Sequence, residues 1–249
     1  MLTRCQRLEV SKPIATATLV LFATATGVAA PSEPVVVERQ VAAMGSVLSL
    51  MIAASTRALA LDASEAPVRA VEDSERRLST WRSDTELAPL NPHPVGADFP
   101  LSPALAADLA AAARLWRFTG GGFDPGGGAL VQTWDLRGRG TTPTRWQLHR
   151  ARVATGLRNL RLDATTATRL HPNVRSDEGG FGKGAALDAA VAALAAAGAS
   201  RPLLDFGGQL AVDGEGGEWE VSLAHPDEVS RSVATLRLLA GSLATSGNG

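Results

Sequence analysis

The sequence predicts an α+β fold, mixed strands and helices without a regular β-α-β rhythm. Three observations predict it. Short apolar runs are bounded by turn residues, longer Ala-rich stretches carry helical spacing, and 25 Gly and 14 Pro punctuate them. A chain of 249 residues, 45% hydrophobic, is long enough to bury a sizeable core. Its 24 basic and 25 acidic residues balance, which gives no global field toward nucleic acid or an anionic membrane. The single Cys excludes a disulfide framework or a Cys-based zinc site, and the four His lack metal-binding spacing.

Residues 1–30 read as a signal peptide. Arg4, Arg7 and Lys12 form a basic start, residues 14–30 are uncharged and mostly apolar, and Val28-Ala29-Ala30 is a small-residue cleavage pattern. The alternative is an uncleaved anchor, which would be the chain's link to a membrane. Cys5 precedes the apolar run, so cleavage leaves no cysteine, which suits an oxidising, periplasmic location. Residues 31–249 then read as one domain.

Within it, residues 47–52 form a strand after the turn at Gly45. Residues 64–80 form a helix with Val68, Val71 and Leu78 on one face. Ser102 caps a helix whose Leu105, Leu109, Ala112 and Trp116 keep helical spacing until Gly120, Gly121 and Gly122 stop it. The Arg-, Gly- and Thr-rich residues 137–144 read as a surface excursion. Strands follow at 157–162 and 167–170, a small-residue helix at 184–197, and strands at 202–206, 210–212, 219–223 and 233–239.

Several common motifs fail on inspection. Pro125 stands where G-x-G-x-x-G needs its third glycine, and Gly184 stands where a P-loop needs Ser or Thr. Asp205-Phe206-Gly207 lacks the other kinase segments. Other segments carry chemistry. Asp177-Glu178-Gly179-Gly180-Phe181-Gly182-Lys183-Gly184 opens a helix, whose free N–H groups and positive dipole end suit a diphosphate, with Lys183 adding a cation. The same residues also make a plain glycine turn with a solvated Lys. Gly120-Gly121-Gly122-Phe123-Asp124-Pro125 offers a backbone wall beside a flat ligand, or simply a helix stop before a turn. Trp81, in Leu78-Ser79-Thr80-Trp81-Arg82, is placed to stack on a ring or to fill a core. Met44-Gly45-Ser46 and Ala244-Thr245-Ser246-Gly247 complete the set.

In order and spacing these segments resemble the ApbE family of FAD:protein FMN transferases. The family pattern runs M-G-[ST], then L-S-x-[YW] with E-L and L-N, then G-x-F-D-P with L-V and W. It continues with D-L-G-G-[IV]-A-K-G-x-A-x-D, D-x-G-G and A-T-S-G. Here these fall on Met44-Gly45-Ser46; Leu78 to Trp81 with Glu86-Leu87 and Leu90-Asn91; and Gly121 to Pro125 with Leu130-Val131 and Trp134. The later ones fall on Asp177 through Asp188, Asp205 to Gly208 and Ala244 to Gly247.

The resemblance implies an ApbE-like fold and magnesium-dependent transfer of FMN from FAD to a Thr or Ser of a client flavoprotein of an electron-transfer system, with AMP released. It places FAD contacts on Met44, Trp81, Gly122, Phe123, Asp124, Asp177 and Lys183, and a magnesium-binding backbone oxygen on Gly180. A FAD-binding protein without transfer and a FAD pyrophosphatase are the alternatives. Three departures stand out. Glu178 replaces an apolar residue and is expected to bring negative charge near the diphosphate. Gly126-Gly127-Gly128 replaces T-x-G-P and is expected to loosen the loop after Asp124. The chain ends at Asn248-Gly249, ahead of the family's H-x-[IL]-D-P and A-D-x-x-A-T segments, which implies a domain lacking its C-terminal part and two metal ligands. For the leader, N-terminal sequencing of the exported protein is expected to begin at Pro31; a Met1 start on mature periplasmic material would refute cleavage.

Overall fold

The computed structural model describes residues 15–16, 34–197, 200–213 and 217–245. The leader therefore lies outside the described residues except for Ala15 and Thr16, as do Ser246 and Gly247 of the last motif. In chain order the elements are β1 (Ala15–Thr16), β2 (Val35–Ala43), β3 (Ser46–Ala54), α1 (Arg57–Leu78), β4 (Asp98–Pro100) and α2 (Pro103–Phe118). There follow α3 (Gly128–Thr133), α4 (Arg145–Ala154), β5 (Leu160–Leu162), β6 (Thr166–Arg169) and α5 (Gly182–Ala196). The chain continues through β7 (Ser200–Phe206), β8 (Gln209–Val212), β9 (Trp219–His225), β10 (Glu228–Leu238) and β11 (Gly241–Ala244).

A five-stranded antiparallel sheet in the order β11-β8-β7-β3-β2 carries the main core. In β3, Leu48, Leu50 and Ile52 alternate inward, as a half-buried strand requires. Leu48 lies opposite Phe206 and Leu50 opposite Leu204, so the register stacks four buried side chains at the sheet centre. Onto this face α1 packs Val68 and Val71, and α5 packs Ala186, Leu187, Ala190 and Leu194. The small residues of α5 let it lie close to α1. A second core joins Leu78 at the end of α1 to Leu87, Leu90, Leu105, Leu109 and Phe181. Strands β4, β6 and β5 form a small antiparallel sheet, and β1, β10 and β9 a third.

Several elements differ from the sequence reading. Helix α1 starts at Arg57, capped by the Thr56 hydroxyl, because alanines ahead of Ser64 extend it and Pro67 is accommodated inside. Residues 157–159 form a 3-10 turn, leaving a strand only at Leu160–Leu162, since Gly156 enters at φ 123° and sets a turn. Helix α4 opens with a capping box between Thr144 and Gln147, inside a stretch whose polar composition reads as loop. Gly126 to Gly128 are not loosened. A Cβ on Gly126 would stand 2.7 Å from the Gly156 carbonyl carbon, and one on Gly128 would stand 2.9 Å from the Arg175 carbonyl oxygen. These glycines bring backbones together, and Gly128 N–H donates to the Arg175 carbonyl at 3.1 Å. Among the described residues no helix is long and apolar enough to cross a membrane.

Candidate functional site

Two hairpin turns at one end of the large sheet face the start of α5. Met44 and Gly45 join β2 to β3 with φ of 46° and 68°, a left-handed pair that matches strand twist. The Met44 methyl reaches α5, lying 3.1 Å from where a Cβ on Gly182 would stand. Gly207 and Gly208 turn β7 into β8 with φ of 61° and 84°, and Asp205 accepts from the Gly208 N–H at 2.9 Å. A Cβ on Gly207 would collide with the Ser46 hydroxyl at 2.2 Å and approach the Lys183 ammonium at 3.2 Å. That ammonium also lies 5.8 Å from the Phe206 ring centre. The M-G-S and D-F-G-G segments are thus turns that admit close neighbours around Lys183. Among the described residues no side-chain cap is made at Phe181, the residue before the first turn of α5.

The 78–91 segment folds back on α1. Leu78, Leu87 and Leu90 are buried, Thr85 donates to the Ser79 carbonyl at 2.5 Å, and Leu87 N–H donates to the Arg77 carbonyl at 3.0 Å. Asn91 then pairs with the Ser176 backbone in both directions, donating at 3.0 Å and accepting at 2.7 Å. This places Thr80 and Trp81 beside Asp177 and Glu178. At the rim, the bidentate hydrogen bond to Asp84 raises the pKa of Arg82 and lowers that of Asp84.

Glu178 does not add free negative charge. It is 4% exposed, its carboxylate accepts from the Thr80 N–H at 3.0 Å and from the Thr80 hydroxyl, and Arg137 stands 3.6 Å away. Arg137 opens the polar stretch 137–144, expected as a surface excursion, and instead turns inward to this corner. Its guanidinium donates to the Thr80 carbonyl at 2.9 Å, the Thr80 hydroxyl at 2.5 Å and Asp177 Oδ2 at 2.6 Å. It also lies 4.5 Å from the Trp81 ring centre. Asp177 Oδ1 accepts from the Gly179 N–H at 2.9 Å, so both its oxygens are engaged. One signal could have found Arg137: an acid in an apolar slot calls for a cation.

Gly122, Phe123 and Asp124 fall elsewhere. Phe123 packs edge-on to Phe181 at 6.2 Å, and its ring is 3.0 Å from where a Cβ on Gly180 would stand. Asp124 Oδ1 accepts from the N–H groups of Gly126 at 2.8 Å and Leu157 at 2.9 Å, which ties its loop to the turn before β5. Gly122 closes the turn after α2 through the Thr119 carbonyl at 3.1 Å.

Met44, Gly45, Ser79, Trp81, Gly182 and Lys183 line one cavity of about 490 Å³, with Glu178 in its wall. That volume is in the range of small-molecule sites. Asp177 and Arg137 line a second cavity of about 250 Å³ behind Thr80. Of the predicted contacts, the first cavity therefore collects Met44, Trp81 and Lys183. Asp177 faces the neighbouring space, and the Gly122 to Asp124 segment stands behind Gly180 and Phe181.

A model of the ApbE family matches residues 44–249, and the chain belongs to that family. The FAD:protein FMN transferase of Vibrio cholerae is 27% identical over 171 residues, covering 66% of this chain and 51% of that protein. The FAD:protein FMN transferase of Rhodobacter capsulatus is 35% identical over 161 residues, 61% of this chain and 30% of that protein. The chain thus spans about half or less of the length of these relatives. In fold it is similar to the ApbE flavinyl transferase of Pseudomonas stutzeri, with a TM-score of 0.72 at 22% identity over 84% of this chain and 67% of that one. The Thermotoga maritima ApbE protein gives 0.77 at 22% identity over 86% and 71%.

The Asp124 geometry has a consequence for stability. Asp124→Ala leaves two backbone N–H groups without their acceptor and is expected to cost ~1–3 kcal/mol of unfolding free energy. Urea denaturation measures this, and an unchanged midpoint would release Asp124 from its loop-tying role.

Proposed function

We propose that this chain carries the FAD-binding part of an FMN transferase, which moves FMN from FAD to a Thr or Ser hydroxyl of a client protein and releases AMP. The observation that carries this reading is the meeting of Met44, Trp81, Gly182 and Lys183, from three distant motifs, around one cavity of about 490 Å³. Trp81 is 64% exposed, and its aromatic face suits an isoalloxazine. Lys183 and the uncapped start of α5 suit the diphosphate. In the reaction, a client hydroxyl oxygen attacks the FMN phosphorus, the bond to the AMP oxygen breaks, and the hydroxyl proton passes to solvent or a base. Client flavoproteins of electron-transfer systems and a periplasmic location complete the proposal, the latter on the strength of the leader sequence.

Magnesium enters through the family resemblance, and when bound it would neutralise diphosphate charge. Among the described residues no three His, Cys, Asp or Glu stand together, and Asp177 is engaged by Arg137 and Gly179. The described residues alone do not fit a magnesium shell around the Gly180 carbonyl. FAD binding without transfer is the second reading.

Incubation with FAD, magnesium and a client protein separates the readings. Covalent flavin fluorescence on the client supports transfer, free FMN with AMP supports a pyrophosphatase, and unchanged bound FAD supports a binding protein. For the site, Trp81→Ala is expected to weaken FAD binding by ~1–3 kcal/mol, on the scale of base–aromatic stacking. Lys183→Ala is expected to weaken FAD far more than riboflavin, which lacks phosphate. Titration checks both; equal losses for the two ligands at Lys183 would indicate misfolding in place of a lost charge contact.

A further inference from the structure

Trp81 is the exposed aromatic of the larger cavity, and little packing holds it. Its backbone N–H donates to the Ser79 hydroxyl at 3.3 Å, and the Arg137 guanidinium lies over its ring at 4.5 Å from the centre. Arg137 lines the smaller cavity while Trp81 lines the larger one, so the guanidinium backs the ring from behind the wall. The same group binds the Thr80 carbonyl and hydroxyl and the Asp177 carboxylate. It reaches these partners across 57 and 40 residues of sequence. A planar fork that stacks on an aromatic while donating sideways is a task for Arg; a Lys ammonium is a point charge and cannot do both.

We propose that Arg137 is a positioning residue for the ring end of a flavin substrate: it fixes Trp81 from behind and locks it to the Asp177–Glu178 corner. This rests on the flavin reading of the cavity. The competing role is neutralisation of buried Glu178, with no bearing on a ligand. Two variants separate these roles. Arg137→Lys keeps a cation beside Glu178 but loses the stacked fork. Arg137→Met combined with Glu178→Leu removes both charges of the Arg137–Glu178 pair, an exchange for apolar groups that folds often tolerate, while Asp177 keeps its hydrogen bond from the Gly179 N–H.

FAD and riboflavin are titrated against the parent, both variants and Lys183→Ala, with thermal unfolding measured alongside. Both Arg137 variants are expected to bind FAD and riboflavin about tenfold more weakly, by the same factor for each, as loss of a cation–π support predicts. Lys183→Ala should weaken FAD selectively. Parent-like affinity in either Arg137 variant would overturn the proposal and leave Arg137 as a charge neutraliser. A loss for FAD that spares riboflavin would also overturn it, moving Arg137 to the phosphate end. If the parent protein binds neither ligand, the flavin reading fails first and this inference with it.

Discussion

A carboxylate buried beside a cavity must be paired, and the site of this protein is organised around meeting that demand at Glu178. Thr80 supplies two donors and Arg137 a nearby cation, while Arg137 also takes Asp177. Three pieces of chain far apart in sequence are thereby joined: the end of α1, the loop after α3, and the segment leading into α5. Removing one partner of such a cluster typically costs 3–5 kcal/mol, because the charge left behind stays buried. The position of Trp81, and the shape of the cavity it lines, follow from this junction.

The large sheet supplies the rest of the geometry. Its core strands are fixed by Leu48, Leu50, Leu204 and Phe206, so the two turns at its end present Met44 and the Gly207 backbone from a rigid base. Glycine serves here by letting groups touch. Gly182 admits the Met44 methyl, Gly180 the Phe123 ring and Gly207 the Ser46 hydroxyl. Side chains at these positions would push apart the walls they bring together.

Much of this was legible in the sequence. The helices around residues 68–78 and 105–116 showed their apolar faces, and Ser102 marked its cap, because propensity, pattern and packing agree there. The family motifs located Met44, Trp81 and Lys183, which meet in space. Arg137 was hidden by its neighbourhood, since an Arg among Gly, Thr and other Arg residues carries the same local signal as a solvated loop. Its role depends on partners 40 and 57 residues away. Likewise, Gly126 to Gly128 looked loose because the absence of a side chain is written in sequence, while the backbone that fills the space is not. Glu178 was legible as an anomaly, but its neutralisation by Thr80 and Arg137 required three-dimensional proximity.

The central claim is that the cavity between Met44, Trp81 and Lys183 receives FAD, with the flavin ring against Trp81 and the diphosphate at the start of α5. A crystal structure of the protein with FAD tests it most directly. The account predicts the isoalloxazine on the cavity-facing side of Trp81, Arg137 still stacked behind that ring, and the diphosphate within reach of the Lys183 ammonium. FAD bound at another surface, or a flavin in this cavity with its diphosphate directed away from Lys183, would contradict it.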